Sequence, residues 1–192
     1  MGSAFAENLI ARGYQVRVWD RVHDRIAALV GLGAEAAATP EALVIGMDAV
    51  LVMLWDDAVA KEISLGRIIP AASPPTLVIE MSTLSPGLYQ TLGQAAERKG
   101  LDFLACPVLG SVDLARAGKL TVLASGRRRR SGLREIFSEH SGVRSPTLVR
   151  PVRALTSNLR TTRSSASLPS RCASCLRFAS VPGSMKTSPL IP

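Results

Sequence analysis

Aromatic side chains are scarce, at 4% of the 192 residues, and the chain has only three cysteines and two histidines. Cys106, Cys172 and Cys175 cannot build a disulfide framework, so a reducing cytoplasm is the expected compartment. The Cys172-Ala173-Ser174-Cys175 spacing suits a metal or redox pair. It stands alone, with no histidine nearby to complete four ligands and no βαβ pattern around it, so no metal site is assigned. His23 and His140 each lack a partner for acid–base work. The chain is 47% hydrophobic, yet no apolar run approaches the ~18 residues of a membrane-spanning helix. A charged start followed by an apolar stretch is also lacking, which predicts no secretory signal.

Acidic residues are almost absent from the last third. Residues 1–126 carry ten Lys/Arg against thirteen Asp/Glu, whereas residues 127–192 carry thirteen against two. The net charge of +8 therefore averages an acidic part at −3 and a basic part at +11, with the change at Gly126-Arg127. The basic part opens on four consecutive arginines, Arg127 to Arg130, and holds thirteen Ser and six Pro without sustained periodicity. Such a composition predicts a disordered tail. Basic tails can hold nucleic acid through its phosphates, but Phe137 and Phe178 are the only aromatics there for stacking on bases. Nucleic acid is not the expected partner.

What is present is an alternation of helix and strand. Residues 1–21 carry the strongest signal. Phe5 with Leu9, and Ala6 with Ile10, give an apolar helix side, and Gly13 suits the end of that helix. Tyr14, Val16 and Val18 alternate with polar residues before Trp19, a strand pattern that closes on Asp20. Helix, glycine, strand and acid form the second half of a dinucleotide-binding βαβ unit. Asp20 lies eighteen positions after Gly2, the spacing from the last glycine of Gly-x-Gly-x-x-Gly to the carboxylate that binds the ribose 2′-hydroxyl. No strand and no earlier glycine stand ahead of Met1.

Further along, a helix is predicted from His23 to Val30, and a poor, short strand over Ala36 to Ala38. Thr39 can cap a helix with Pro40 at its first position. Ala49 to Trp55 is a continuous apolar run, as a parallel strand buried on both faces requires. Asp56-Asp57 begins a helix to about Leu65. Leu77 to Met81 is a second buried strand, Pro86 to Lys99 a helix ended by Gly100, and Phe103-Leu104 a short strand. The alternation predicts a doubly wound parallel α/β sheet.

Several segments together resemble the β-hydroxyacid dehydrogenase family, which includes 3-hydroxyisobutyrate dehydrogenase and the NADP-binding domain of 6-phosphogluconate dehydrogenase. They are Met1-Gly2, Ala6, Asn8-Leu9, Gly13 and Val16 to Arg21; then Val52-Met53-Leu54 with Asp56-Asp57; then Met81 to Pro86; and finally Pro107 to Ser111 with Ala115, Gly118, Leu120 and Gly126. The resemblance covers about residues 1–126. It implies a partial NAD(P)-binding domain over 1–126, with an incomplete Rossmann-like sheet, and the Arg/Ser/Pro-rich tail over 127–192. It implies NADP or NAD as cofactor, in contact with Gly2, Asp20, Arg21, Leu54, Ser82 and Thr83, and a small hydroxy acid near Gly110 and Ser111. A carboxylate at Asp20 favours the 2′-hydroxyl of NAD and an arginine at Arg21 the 2′-phosphate of NADP, so the two neighbours oppose one another. Each position also has a plainer role. Asp20 and Arg21 can be a solvated charge pair, Ser82 and Thr83 can cap the helix at Pro86, and Gly110-Ser111 can be an ordinary turn. Members of the family more often carry Ser-Gly-Gly near Leu109-Gly110-Ser111.

The family's general acid/base is a lysine in a later Gly-x-x-Gly…Lys-x-x-x-Asn helix. Beyond Gly126 the only lysine is Lys186, outside any such motif, and Lys119 belongs to a turn. No catalytic residue is therefore assigned. The expected protein is a fragment of an NAD(P)-dependent oxidoreductase that is inactive as given and holds its dinucleotide weakly. The alternative is a non-catalytic nucleotide-fold protein whose basic tail binds nucleic acid. In the strand order 3-2-1-4-5-6 the first strand is central. Without it, the strands at Tyr14–Trp19 and Ala49–Trp55 expose edges that template aggregation, so an unstable or insoluble product is expected.

Arg- and Ser-rich sequence without periodicity is what a GC-rich gene yields when read out of frame. The coding DNA after codon 126 should therefore encode, in another frame, the glycine-rich helix with its lysine. DNA upstream of Met1 should encode an apolar strand with Gly-Leu-Gly. Resequencing the locus and translating all frames checks both. Failure of every frame to restore either segment would make the tail genuine and favour the nucleic-acid alternative.

Overall fold

A computed structural model describes residues 1–126 and the backbone of 144–148. Helix α1 (Gly2–Ala11) leads into strand β1 (Arg17–Val18), α2 (Asp24–Gly31) and β2 (Glu35–Ala36). Next come α3 (Pro40–Val44), β3 (Ala49–Val52) and α4 (Asp57–Ala60), which continues as a π-helix (Lys61–Ile68) and a last turn α5 (Ile69–Ala71). The chain then forms β4 (Leu77–Glu80), α6 (Pro86–Arg98), β5 (Asp102–Ala105), β6 (Val108–Leu109), α7 (Val112–Arg116) and β7 (Thr121–Gly126). Within the stretch expected to be a disordered tail, β8 (Arg144–Leu148) runs parallel to β7. The rest of that stretch, with its arginine run, Cys172, Cys175 and Lys186, lies outside the described residues.

Local chemistry explains most of these boundaries. Thr39 accepts the amide of Ala42 at 3.1 Å and caps α3, with Pro40 at its first position. Asp56 does the same for α4 through Val59 at 2.9 Å. The helix that starts there runs on to Ala71 rather than stopping near Leu65. The predicted strand Ala49–Trp55 ends at Val52, and Trp55 is 85% exposed. Strand β5 crosses β7 so closely that a Cβ on Gly126 would sit 2.7 Å from the Phe103 carbonyl oxygen, and Gly126 adopts φ +153°. Only glycine fits there.

The strands form two separate sheets. One is the parallel pair β1–β2; the other is six-stranded, in the order β3-β4-β5-β7-β6 with β8 on β7. β3, β4 and β5 are parallel and β7 is antiparallel to β5. A core of Val50, Val52, Ile68, Val78, Leu88, Leu92 and Ala96 fills one face of the larger sheet. Ile79, Met81, Leu104, Val122 and Ala124 fill the other, with Phe5 and Leu9 of α1 packed against them. The small sheet has its own core of Val16, Val18, Ile26 and Leu29, shared with Ala6 of α1. The parallel α/β arrangement agrees with the expectation. So does the gap: β1 and β3 do not pair with each other.

In a strand, the N–H and C=O of alternate residues point to opposite sides. The Val16 and Val18 carbonyls accept Glu35 and Ala37 of the β2 segment, and those of Asp48 and Val52 accept Leu77 and Met81. Arg17, Ala49 and Leu51 therefore turn their backbone groups toward the gap. Hydrogen exchange read residue by residue is expected to be faster at the amides of Arg17, Ala49 and Leu51 than at Val18, Val50 and Val52. Equal protection of the two sets would mean that the two sheets are joined in solution.

Candidate functional site

Open parallel sheets bind ligands beyond the carboxyl ends of their strands. Here that rim is made by Trp19-Asp20-Arg21 after β1, Met53 to Asp57 after β3, Met81 to Ser85 after β4, and the N-terminus of α1. A cavity of about 170 Å³ runs along the gap between the sheets and opens at this rim. Gly2 and Ser3 of α1, Asp20, Arg25, Ala49, Met53 and Met81 line it. The structure thus brings Gly2 and Asp20 to one cavity, as their spacing predicted, while Arg21 is exposed beside it.

The first amides of α1 have no partner within the helix and carry its positive dipole end, so they suit an anion. A Cβ on Gly2 would meet Met53 Cβ at 3.9 Å, an ordinary van der Waals contact. Asp20 accepts the Val22 amide through Oδ1 at 2.8 Å, and Arg25 stands 3.9 Å away. Among the described residues the second carboxylate oxygen has no such bond, and it is the one able to accept a ribose hydroxyl. A helix N-terminus and a carboxylate on one cavity of mixed polar and apolar lining fit the pyrophosphate–ribose part of a dinucleotide.

The loops after β3 and β4 are stapled to each other. Ser82 Oγ accepts the Leu54 amide at 2.7 Å and donates to Glu80 Oε1 at 2.5 Å. The Ser85 amide donates to Asp57 Oδ1 at 2.9 Å, and the Ser85 side chain together with this amide holds the Asp57 carboxyl below its usual range. Tyr89 donates its hydroxyl to the Ser82 carbonyl, and burial pushes the phenol up to about 12, so it stays a donor. Ser82 is 2% exposed and its hydroxyl is spent on this staple, whereas Thr83 is exposed at the rim. Neither caps α6. That hydroxyl is Ser85, accepting Leu88 at 3.4 Å, which corrects the plainer role given to Ser82 and Thr83. Leu54, Ser82 and Thr83 do not line the cavity that Gly2 and Asp20 share.

Glu80 is the residue that the sequence reading missed. It is fully buried at the end of β4, and Ser64 of the π-helix donates to its Oε2 at 2.8 Å. A charged residue inside an otherwise apolar strand, Leu77 to Met81, was the available signal. Burial raises its carboxyl above the ordinary value of 4.5, outweighing the hydrogen bonds from Ser82 and Ser64 that pull it down. Burial also pushes the Cys106 thiol up to about 12, so it is inert packing.

Gly110 and Ser111 lie between β6, at the edge of the six-stranded sheet, and α7. Gly110 has φ +139°, and a Cβ there would meet Leu120 at 2.5 Å. Ser111 Oγ accepts the Leu114 amide at 3.3 Å and caps α7. Neither lines the cavity that Gly2 and Asp20 share. Asn8 ties α7 to α1, donating to the carbonyls of Ala115 at 2.8 Å and Ala4 at 2.9 Å. Lys119 is exposed in the turn before β7. Among the described residues no group of acids, histidines or cysteines could hold a metal ion, and no helix is long and apolar enough to cross a membrane.

Residues 1–143 match the family model of the NAD binding domain of 6-phosphogluconate dehydrogenase. The chain belongs to that family. It is 34% identical over 128 residues to an uncharacterized oxidoreductase of Bacillus subtilis, covering 66% of this chain and 45% of that protein. It is 35% identical over 128 residues to an NAD-dependent L-serine dehydrogenase of Pseudomonas aeruginosa, covering 66% and 43%. A solved 3-hydroxyisobutyrate dehydrogenase of Mycobacterium tuberculosis with L-serine superposes with a TM-score of 0.67 at 27% identity, covering 78% of this chain and 50% of that one. The chain thus spans about half the length of the relatives it matches.

The Glu80 carboxyl makes stability depend on pH. Its folded value is raised, so the folded chain keeps a proton that the unfolded chain releases near 4.5. Stability should fall as pH rises from there through the raised value, because the unfolded state binds fewer protons in that window. Glu80→Gln keeps the shape and is expected to flatten this slope, measured as urea midpoints between about pH 4 and pH 8. An unchanged slope in the variant would rule out Glu80 as its source.

Proposed function

We propose that residues 1–126 form the NAD(P)-binding part of a cytoplasmic oxidoreductase for small hydroxy acids, and that the 192-residue chain does not turn over such substrates by itself. The observation that supports this is the shared cavity of the α1 N-terminus and Asp20. The amides at Gly2 and Ser3 hold the pyrophosphate, Asp20 accepts the ribose 2′-hydroxyl, and Arg21 offers the cation that a 2′-phosphate needs. When bound, the nicotinamide supplies the hydride carrier. The Ser82 staple fixes the loop that presents Thr83 and the Leu54 backbone to the nicotinamide end. Gly110 and Ser111 are the substrate-binding positions that the family resemblance suggests.

Proton transfer needs a group within hydrogen-bond reach of the substrate oxygen. Lys119 belongs to the turn before β7 and no lysine lines the cavity, so the reading is of a binding part without its acid/base. The names of the serine and hydroxyisobutyrate relatives support a small hydroxy acid as the substrate class. A second reading, binding of nucleic acid, draws only on the +11 charge of residues 127–192.

Calorimetry with NAD and NADP on the full chain tests the proposal. Binding weaker than about micromolar is expected for both, because one helix N-terminus supplies the anion contacts. Asp20→Asn should move the preference toward NADP. Micromolar binding would overturn the weak-site reading, and no binding of either together with salt-dependent DNA binding would favour the second. Oxidation of L-serine or 3-hydroxyisobutyrate in a Lys119→Ala background would refute the inactivity.

A further inference from the structure

We infer that Glu80 and Ser64 form a buried proton switch whose moving part is the Ser64 hydroxyl, while the rim loops after β3 and β4 keep their shape in both states. The two carboxylate oxygens serve different elements. Oε1 accepts both polar groups of Ser82, the hydroxyl at 2.5 Å and the amide at 3.2 Å. Ser82 Oγ in turn accepts the Leu54 amide at 2.7 Å, so this oxygen holds the rim. Oε2 accepts the Ser64 hydroxyl at 2.8 Å and so holds the π-helix Lys61–Ile68. Glu80 and Ser64 are both fully buried.

An ionised carboxylate only accepts hydrogen bonds, whereas a protonated one must also donate. A proton on Oε1 would leave a Ser82 donor without an acceptor in the interior, at the full desolvation cost of that group. A proton on Oε2 meets Ser64 Oγ, which has lone pairs to accept it. A serine hydroxyl on a helix can turn its own hydrogen to the carbonyl three or four residues back, here Lys61 or Ala60. The proton therefore belongs on Oε2, and taking it up reverses the Ser64 bond without touching Ser82.

The surroundings leave this step to Glu80 alone. Tyr89 of α6 and Cys106 after β5 are both pushed up to about 12 by burial, so they stay neutral while Glu80 titrates. Val52 and Ala105 flank Glu80 in the sheet. On the π-helix, Lys61 and Glu62 are exposed and Arg67 is paired with Glu41. Asp57, at the start of α4, is bonded to the Ser85 amide. Among the described residues no ion pair involves Glu80. The inference does not depend on dinucleotide binding.

The test is carbon- and nitrogen-resolved NMR on the full 192-residue chain. Glu80→Gln freezes the neutral state, its NH2 standing for the protonated Oε2 and its C=O for Oε1. The NH2 hydrogens of that variant are expected to show contacts to the Ser64 methylene; an NH2 turned toward Ser82 would overturn the inference. In the wild-type chain the Ser64 Cβ signal should follow the Glu80 carboxyl as it titrates above the ordinary 4.5. Through that titration the Leu54 amide, corrected for the pH dependence of exchange chemistry, should keep its protection within about threefold. A Ser64 signal that ignores the titration, or a loss of Leu54 protection of about tenfold or more on protonation, would each overturn the inference. Glu80→Leu has no polar atom for either arm and should lower Leu54 protection at least about tenfold. Equal protection there would show that Oε1 does not hold the rim and would also overturn it; should that variant fail to fold, Ser82→Ala reads the same arm.

Discussion

A strand inside a parallel sheet must find hydrogen-bond partners on both sides, because its backbone polar groups are shielded from water. Among the described residues that requirement is met at β4 and β5 and is unmet at β1 and β3, and the rest of the architecture works around it. The two sheets are held together by side chains. Leu9 of α1 packs into the cores of both, Phe5 into the larger and Ala6 into the smaller. Arg17 reaches from β1 to the carbonyls of Ala42 at 2.9 Å and Ile45 at 3.1 Å, at the end of α3. These contacts fix position without satisfying the backbone. The small sheet, two residues per strand, is correspondingly the weaker body, since short two-stranded units are marginal on their own.

The opposite holds at the rim beyond β3 and β4. There the loops are tied by hydrogen bonds of several kinds, from Leu54 and Ser85 amides to the Ser82 hydroxyl and the Asp57 carboxylate. Glu80 anchors the set from below and links it to Ser64 of the π-helix. A π-helical insertion shifts the register of side chains around a helix, and such insertions occur often at functional sites. In this case the result is a serine turned inward beneath the rim. The end of the crevice proposed for the nicotinamide is thus cross-linked by hydrogen bonds, and the end proposed for the pyrophosphate borders the open gap; the weak binding proposed for this chain rests on the second.

The parallel core was legible because its strands are continuous apolar runs, Ala49 to Val52 and Leu77 to Ile79, too short for a helix and bounded by turn and cap residues. The helix starts were legible where proline follows a hydroxyl residue, at Thr39-Pro40 and Ser85-Pro86. Asp20 was legible from its spacing to Gly2. The rest depended on contacts between segments far apart in sequence. Asn8 meets Ala115, and Ser64 meets Glu80, only through the fold. Ser82 and Ser85 are both plausible caps three residues apart, and the choice rests on which hydroxyl the buried Glu80 takes. The π-helix has no composition of its own, so a helix to Leu65 was all that the local pattern could support.

The gap and the anion site share one structural element, and this links them. Gly2 and Ser3 line the cavity between the sheets and also form the N-terminus at which a phosphate would sit. That N-terminus is held by Ala4 and Phe5 packing inward, and Met1 ahead of it is exposed. A strand in the gap would hold both sheets to α1 and fix the turn that enters the helix. The amides facing the phosphate would then be ordered before the ligand arrives, and the ligand would not have to order them. Under the binding proposed for this site, the open gap is expected to lower affinity even with Asp20 and the helix dipole in place, because direction without rigidity leaves the entropic cost to be met on binding.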